Sequence, residues 1–269
     1  MTVFDSYERE QWRGGTAAFA RTFATLCAHP ADALLAAAGV AGGTRTLDVG
    51  TGTGTVAALA AARGAAVTAV DAAPGMAAAA RRSVPAAAVG VGALPALPFR
   101  TGTFDAVLAN FVLNHVGVPA AAVTELARLT RPGGRVAVTI WPYPQPPLQA
   151  LLGKAVQAVG VQPVELPRLA AEHDFPRTVA GLTGLLSVAG LTGVTVRRLD
   201  WRHRTTVADW WAGLDGGIGA ASVLLAGQPA ATRDRIRAAL ERLAEPYRSP
   251  AGDCAIPTAA LLAAGTVPA

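Results

Sequence analysis

The chain has 269 residues, 52% hydrophobic and 15% charged, which supplies enough apolar material for a sizeable core and speaks against intrinsic disorder. The net charge is +5, but the basic residues are spread along the chain. The densest run, RRLDWRHR (197–204), alternates as a solvated strand face does, so no nucleic-acid partner is expected.

Cys27 and Cys254 stand far apart and form neither a disulfide framework nor a metal-ligand spacing, and no metal is expected. No apolar run of about 18 residues is free of charges or Pro/Gly breaks, so no membrane partner is expected. The first residues, MTVFDSYEREQWRGG, lack an apolar export core, and a cytoplasmic protein is expected.

Residues 1–40 read as a helical cap, with Phe19, Phe23, Leu26, Leu34 and Leu35 at helical spacing. Short apolar runs then alternate with Ala/Leu-rich helical segments. The runs are 44–49, 65–71, 86–92, 104–110 and 134–141; the helical segments are 56–63, 75–82 and 118–129. Nearly continuous apolar strands between helices predict a parallel sheet covered on both faces, in residues 41–141. Arg131-Pro132-Gly133-Gly134 reads as a break before the fifth strand.

The proline-rich WPYPQPP cannot be a central strand. Residues 142–190 read as a helical insert, 193–201 as a late strand, and 207–250 as a second helical insert within the C-terminal part, 191–269. ALLAAGTV (260–267) reads as either a final strand or a short helix, because its alanines leave the choice open.

The loop after the first strand, LDVGTGTGTV, lies where open parallel sheets bind ligands. Gly50, Gly52 and Gly54 clear side chains from that place, and the helix that follows offers N–H donors. The spacing is G-x-G-x-G, with Thr55 beyond it, and not the dinucleotide G-x-G-x-x-G. Asp71 ends the second strand about 20 residues further on, where an acid grips ribose hydroxyls. Asp48, two residues before Gly50, would repel a pyrophosphate by kilocalories in a partly desolvated site. It suits a ligand with a positive amino-acid end, such as S-adenosylmethionine, or caps the loop by bonding its backbone.

Four segments in order, DVGTGTG, VTAVDAAPGM, LPFRTGTFDAVLANFVLNHV and LARLTRPGGRVAVTIW, resemble the class I S-adenosylmethionine-dependent methyltransferases. The likeness spans roughly residues 40–200 and is strongest to the branch of quinone-biosynthesis and natural-product enzymes. It implies an α/β, Rossmann-like, doubly wound sheet of seven mostly parallel strands, the last antiparallel, with helical lid insertions. It implies cofactor contacts from Asp48, Gly50, Thr51 and Gly52, with Asp71 on the ribose, Ala72 and Met76 beside the adenine, and Asn110 beside the methionine moiety. The family often reads G-D-A before L-P-F. Here Ala93 and Leu94 follow Gly92, so backbone groups there must replace the missing acid.

Methyl transfer needs alignment and exclusion of water, and a base only where the acceptor must lose a proton. His115, just beyond the fourth strand, is the candidate base. His173 in the insert is a candidate for acceptor contact, while His29 and His203 read as structural. Tyr7 and Trp12 are candidates to cover the site. Trp141, Tyr143, Trp210 and Trp211 are candidates for an apolar acceptor pocket, some of them serving the core instead. The expected activity is methylation of a small, largely apolar acceptor in secondary metabolism. A non-methylating reaction on the same fold, such as a cyclisation, is the alternative. The sequence does not set the oligomeric state, a dimer being the alternative to a monomer.

Overall fold

The computed structural model describes residues 1–162, 164–217 and 219–269. Pro163 and Ile218, which fall within the two expected inserts, lie outside them. Residues 1–40 fold as four short helices, α1 (Val3–Trp12), α2 (Thr16–Arg21), α3 (Phe23–Ala28) and α4 (Ala31–Ala37). Thr2 and Asp5 start α1 with a reciprocal capping box: Asp5 N–H donates to Thr2 Oγ1, and Thr2 N–H donates to Asp5 Oδ2.

The central unit runs β1 (Arg45–Val49), α5 (Thr55–Ala62), β2 (Ala66–Asp71), α6 (Pro74–Ser83), β3 (Ala88–Val91), β4 (Phe104–Asn110), α7 (Pro119–Leu129) and β5 (Thr130–Ile140). Beyond it lie α8 (Pro147–Val159), α9 (Val179–Val188), β6 (Thr192–Thr205), α10 (Val207–Asp215), α11 (Gly219–Ala226), α12 (Ala230–Ala244) and β7 (Cys254–Thr266). The seven-stranded sheet has the order β3-β2-β1-β4-β5-β7-β6. β7 runs antiparallel to both of its neighbours, and every other pair preserved from β1 to β5 is parallel. This is the doubly wound, mostly parallel sheet expected from the sequence.

Period-two alternation sends successive side chains to opposite faces, and both faces are buried. Leu47, Val107, Val136, Val138 and Leu261 pack with α7 and α9 residues such as Leu126 and Leu182. Their strand neighbours Ala106, Leu108, Ala137 and Leu262 pack with Leu34, Leu35 and Ala57 of α4 and α5. Each fully buried leucine contributes about 1.5–3 kcal/mol. A third apolar cluster joins α8, α10 and α12 through Leu148, Leu151, Trp210, Trp211 and Leu240.

One local expectation changes, and one left open is decided. Arg131–Gly134 is not a break before β5. It is an excursion within that strand, between Thr130, paired with Phe104, and Arg135, paired with Ala106. The ambiguous 260–267 run is strand, held between β5 and β6. Pro257 fits in β7 because β5 begins pairing with β7 only at Leu261, so Pro257 faces β6 alone. β6 is an edge strand, and its exposed Arg197, Arg198, Asp200, Arg202 and Arg204 guard that edge. No helix among the described residues is long and apolar enough to cross a membrane.

Strand order reverses between β1 and β4, so the crevice opens at their carboxyl ends.

Candidate active site

A cavity of about 470 Å³ opens at that switch point, within the range of small-molecule sites. Val49 of β1, Asp71 of β2 and Asn110 of β4 line it, with Trp141 just past β5. Gly50 has φ +68°, and a Cβ there would stand 2.4 Å from Val112 Cγ2, so only glycine lets the loop turn against this wall.

Four of the loop's N–H groups are used internally. Those of Gly50 and Thr51 both donate to the Val70 carbonyl, that of Gly54 to the Thr51 carbonyl, and that of Gly52 to Asp71 Oδ2 at 2.8 Å. Asp71 Oδ1 accepts the Ala73 N–H at 2.8 Å. Burial raises the Asp71 carboxyl, and these two backbone donors oppose the shift. Two buried acids at the base of the loop, with four of its N–H groups already engaged, disfavour a phosphate there.

Of the two roles left open for Asp48, facing the ligand or organising the loop, its geometry fits the second. Its side chain is fully buried (0% exposed), it is absent from the cavity wall, and its Oδ2 accepts the Thr51 hydroxyl at 2.7 Å. The reason is local: as a strand residue buried beneath the turn, it holds Thr51 and with it the loop. Its Oδ1 has no partner within hydrogen-bonding geometry, although the nearby Ala57 N–H favours the ionised form. Burial, with the charge of Asp71, pushes its carboxyl up to about 7, against the Thr51 bond.

Thr51, Gly52, Ala72, Met76, Ala93 and Leu94 all line the cavity. The Ala93 carbonyl accepts the Ala96 N–H at 3.3 Å, which folds this segment back on itself. Asn110 is fixed from both ends: Nδ2 donates to the Cys27 carbonyl at 2.9 Å, and Oδ1 accepts the Thr139 hydroxyl at 2.6 Å.

His115 ends a single 3-10 turn, Leu113–His115, and lines the same cavity. Its Nδ1 lies 2.8 Å from Glu8 Oε2 of α1. Trp12 of α1 donates its indole N–H to that oxygen at 3.3 Å and stands edge-on to the imidazole, centroids 5.2 Å apart. Trp141 stacks on Phe111 at 3.8 Å. Phe111 holds φ +59°, a left-handed backbone rare for a bulky residue, with its N–H on Thr139.

The remaining sequence candidates separate. Trp210 lines the cavity, whereas Trp211 is packed in the α8–α10–α12 cluster. Tyr7 and His173 are not on the cavity wall, and Tyr143 points away from the fold, 69% exposed. His29 stacks on Trp201, and His203 is buried, with burial lowering its ring. Among the described residues, no three His, Cys, Asp or Glu side chains are grouped to hold a metal ion. Glu8, Phe19, Phe23, Phe111 and Gln149 reach the cavity without having been singled out in the sequence. Helical spacing of Phe19 and Phe23 was visible, but it reads equally as core.

A Rossmann-like sheet with a glycine turn above two buried acids, one of them placed where an acid grips ribose hydroxyls, suits a nucleoside ligand better than a dinucleotide. The comparisons agree. Residues 47–138 match the family described as Methyltransferase domain. The chain is 37% identical over 177 residues to a demethylmenaquinone methyltransferase of Beutenbergia cavernae, covering 62% of this chain and 73% of that protein. Its fold is similar to the YcgJ protein from Bacillus subtilis, with TM-score 0.56, 18% identity, and coverage of 90% and 99% of the two chains. It is likewise similar to phosphoethanolamine N-methyltransferase 2 of Haemonchus contortus in complex with S-adenosyl-L-methionine, with TM-score 0.53, 17% identity, and coverage of 89% and 52%.

The chain belongs to the class I S-adenosylmethionine-dependent methyltransferases. It is an enzyme whose methyl donor is S-adenosylmethionine and whose acceptor is a small molecule. The residues present fit that donor: Asp71, Ala72, Met76 and Asn110 converge on one cavity, and Asp48 lies buried beneath the glycine turn.

Proposed function

We propose that the acceptor is a small, largely apolar molecule with a quinone-type ring, methylated with His115 as general base. The observation that carries this reading is the continuity of one cavity. Gly50, Gly52 and Asp71 form one part of its wall, and Phe23, Trp141, Leu152, Trp210 and Leu214 form another, with His115 on the same wall. The name of the Beutenbergia relative supports a quinone-type acceptor more directly than the natural-product role expected from the sequence.

When bound, S-adenosylmethionine supplies a methyl group on a carbon activated by its sulfonium. Asp71 is assigned to the ribose hydroxyls: each of its oxygens already holds one backbone N–H and keeps further acceptor capacity. Gly50, Thr51 and Gly52 are assigned to the amino-acid end, with Asp48 acting through its field. Ala72, Met76, Ala93 and Leu94 are assigned to the adenine, and Asn110 to the methionine moiety. Aromatic walls exclude water from the reacting atoms, and Trp12 covers the His115 side. His115 Nε2 takes the proton of an acceptor hydroxyl, leaving the electron pair on the ring system that attacks.

The test is incubation with S-adenosylmethionine and chemically reduced demethylmenaquinone carrying a short tail, followed by mass spectrometry. A product heavier by one CH₂ is expected. A protein that binds the donor but leaves the quinol unchanged would refute the quinone assignment.

A further inference from the structure

We propose that Glu8 is the positioning residue of His115, so that the base is assembled only when α1 is seated on the loop that follows β4. This rests on the reading of His115 as the base.

Three residues on one stripe of α1 meet that loop. Asp5, Glu8 and Trp12 follow at spacings of three and four, which share a helix face. Asp5 Oδ1 accepts the Gly117 N–H at 2.6 Å, while its Oδ2 caps its own helix. Glu8 takes His115 Nδ1, and Trp12 braces both the carboxylate and the ring. Gly117 is held so closely that a Cβ there would stand 2.0 Å from Thr2 Oγ1 and 2.6 Å from Asp5 Oδ2.

Beyond these contacts, Trp12 meets Phe19 of α2 edge-on, centroids 5.9 Å apart. Asp5 is its sole buried residue, so α1 is not seated by a hydrophobic face of its own. Its polar contacts converge on the segment that carries the base.

The chemistry follows from the geometry. A carboxylate at Nδ1 requires a proton there, which fixes the tautomer and leaves the Nε2 lone pair for the acceptor. As the acceptor O–H bond breaks, its proton forms the Nε2–H bond and its electron pair, left on oxygen, is delocalised into the ring that attacks. The imidazolium so formed keeps Glu8 as its counter-charge at 2.8 Å.

The test has two arms, using Glu8→Leu, His115→Gln and the double variant of the full chain. In ¹⁵N-histidine NMR, which needs no acceptor, wild-type His115 should carry its neutral-ring proton on Nδ1, and E8L should lose that preference. An unchanged tautomer in E8L would overturn the proposal. In turnover with S-adenosylmethionine and reduced demethylmenaquinone, E8L and H115Q should each lower kcat at least tenfold. The double variant should be no slower than H115Q, and donor affinity by calorimetry should stay within about twofold throughout. Losses that multiply in the double variant would give Glu8 a merely structural role and overturn the proposal. A normal kcat in H115Q would remove the base itself, and Glu8 with it. A deficient H115Q beside an unimpaired E8L would sink the Glu8 role alone.

Discussion

Asp71, at the end of β2, holds Gly52 of the loop after β1 through a 2.8 Å hydrogen bond from the Gly52 N–H. The same carboxylate that is assigned to the ribose therefore also shapes the floor of the site. Asp71→Ala removes the acceptor of two backbone N–H groups, each costing about 1–3 kcal/mol if left unpaired. The expected result is a lowered melting temperature together with donor binding weakened by tenfold or more in calorimetry. Unchanged affinity would count against the ribose assignment.

Asp48 should make stability and binding respond to pH in opposite senses. Its carboxyl titrates near 7 in the fold against 3.8 as the ordinary value, because burial favours the neutral form. That preference stabilises the cofactor-free protein fully below about pH 4 and is lost as pH rises through about 7, at no more than ~1.4 kcal/mol per pH unit. Between those limits, denaturant unfolding should show the wild type losing stability relative to Asp48→Asn. A cationic donor favours the ionised form instead, so its affinity should rise with pH through about 7, by up to roughly tenfold. Parallel pH profiles for wild type and variant would remove Asp48 from both effects.

Gly50→Ala adds a Cβ at φ +68° and 2.4 Å from Val112 Cγ2. The expected cost is roughly 1–3 kcal/mol from backbone strain and overpacking. Adding Val112→Ala should recover the overpacking share and leave the strain. Thermal unfolding of the single and double variants measures both.

Trp141, just past β5, stacks on Phe111 and lines the cavity. Trp141→Ala should raise KM for an apolar acceptor severalfold while leaving donor affinity near wild type. Donor affinity falling in step with acceptor KM would contradict a separate acceptor end.

The fold was legible wherever strands are apolar on both faces. β4, Phe104–Asn110, begins and ends where its hydrophobic run does. Legibility failed where composition is neutral to the choice of structure. The alanines of β7 suit a helix or a strand, and only pairing with β5 and β6 decides. At Arg131–Gly134 the turn residues were read as an ending, but tertiary pairing resumes at Arg135. In the site, the glycine loop and Asp71 share one local motif and could be read together. Glu8 could not, since its partner His115 lies 107 residues away and only the docking of α1 brings them together. Tyr143 carried the aromatic signal of a pocket, but it projects into solvent from a proline-rich turn.

The most direct measurement is a calorimetric titration of the purified chain with S-adenosylmethionine and, separately, with NADPH. Saturable binding of S-adenosylmethionine and no binding of NADPH is the expected result. Saturable binding of NADPH without S-adenosylmethionine binding would contradict a glycine turn that rests on two acids.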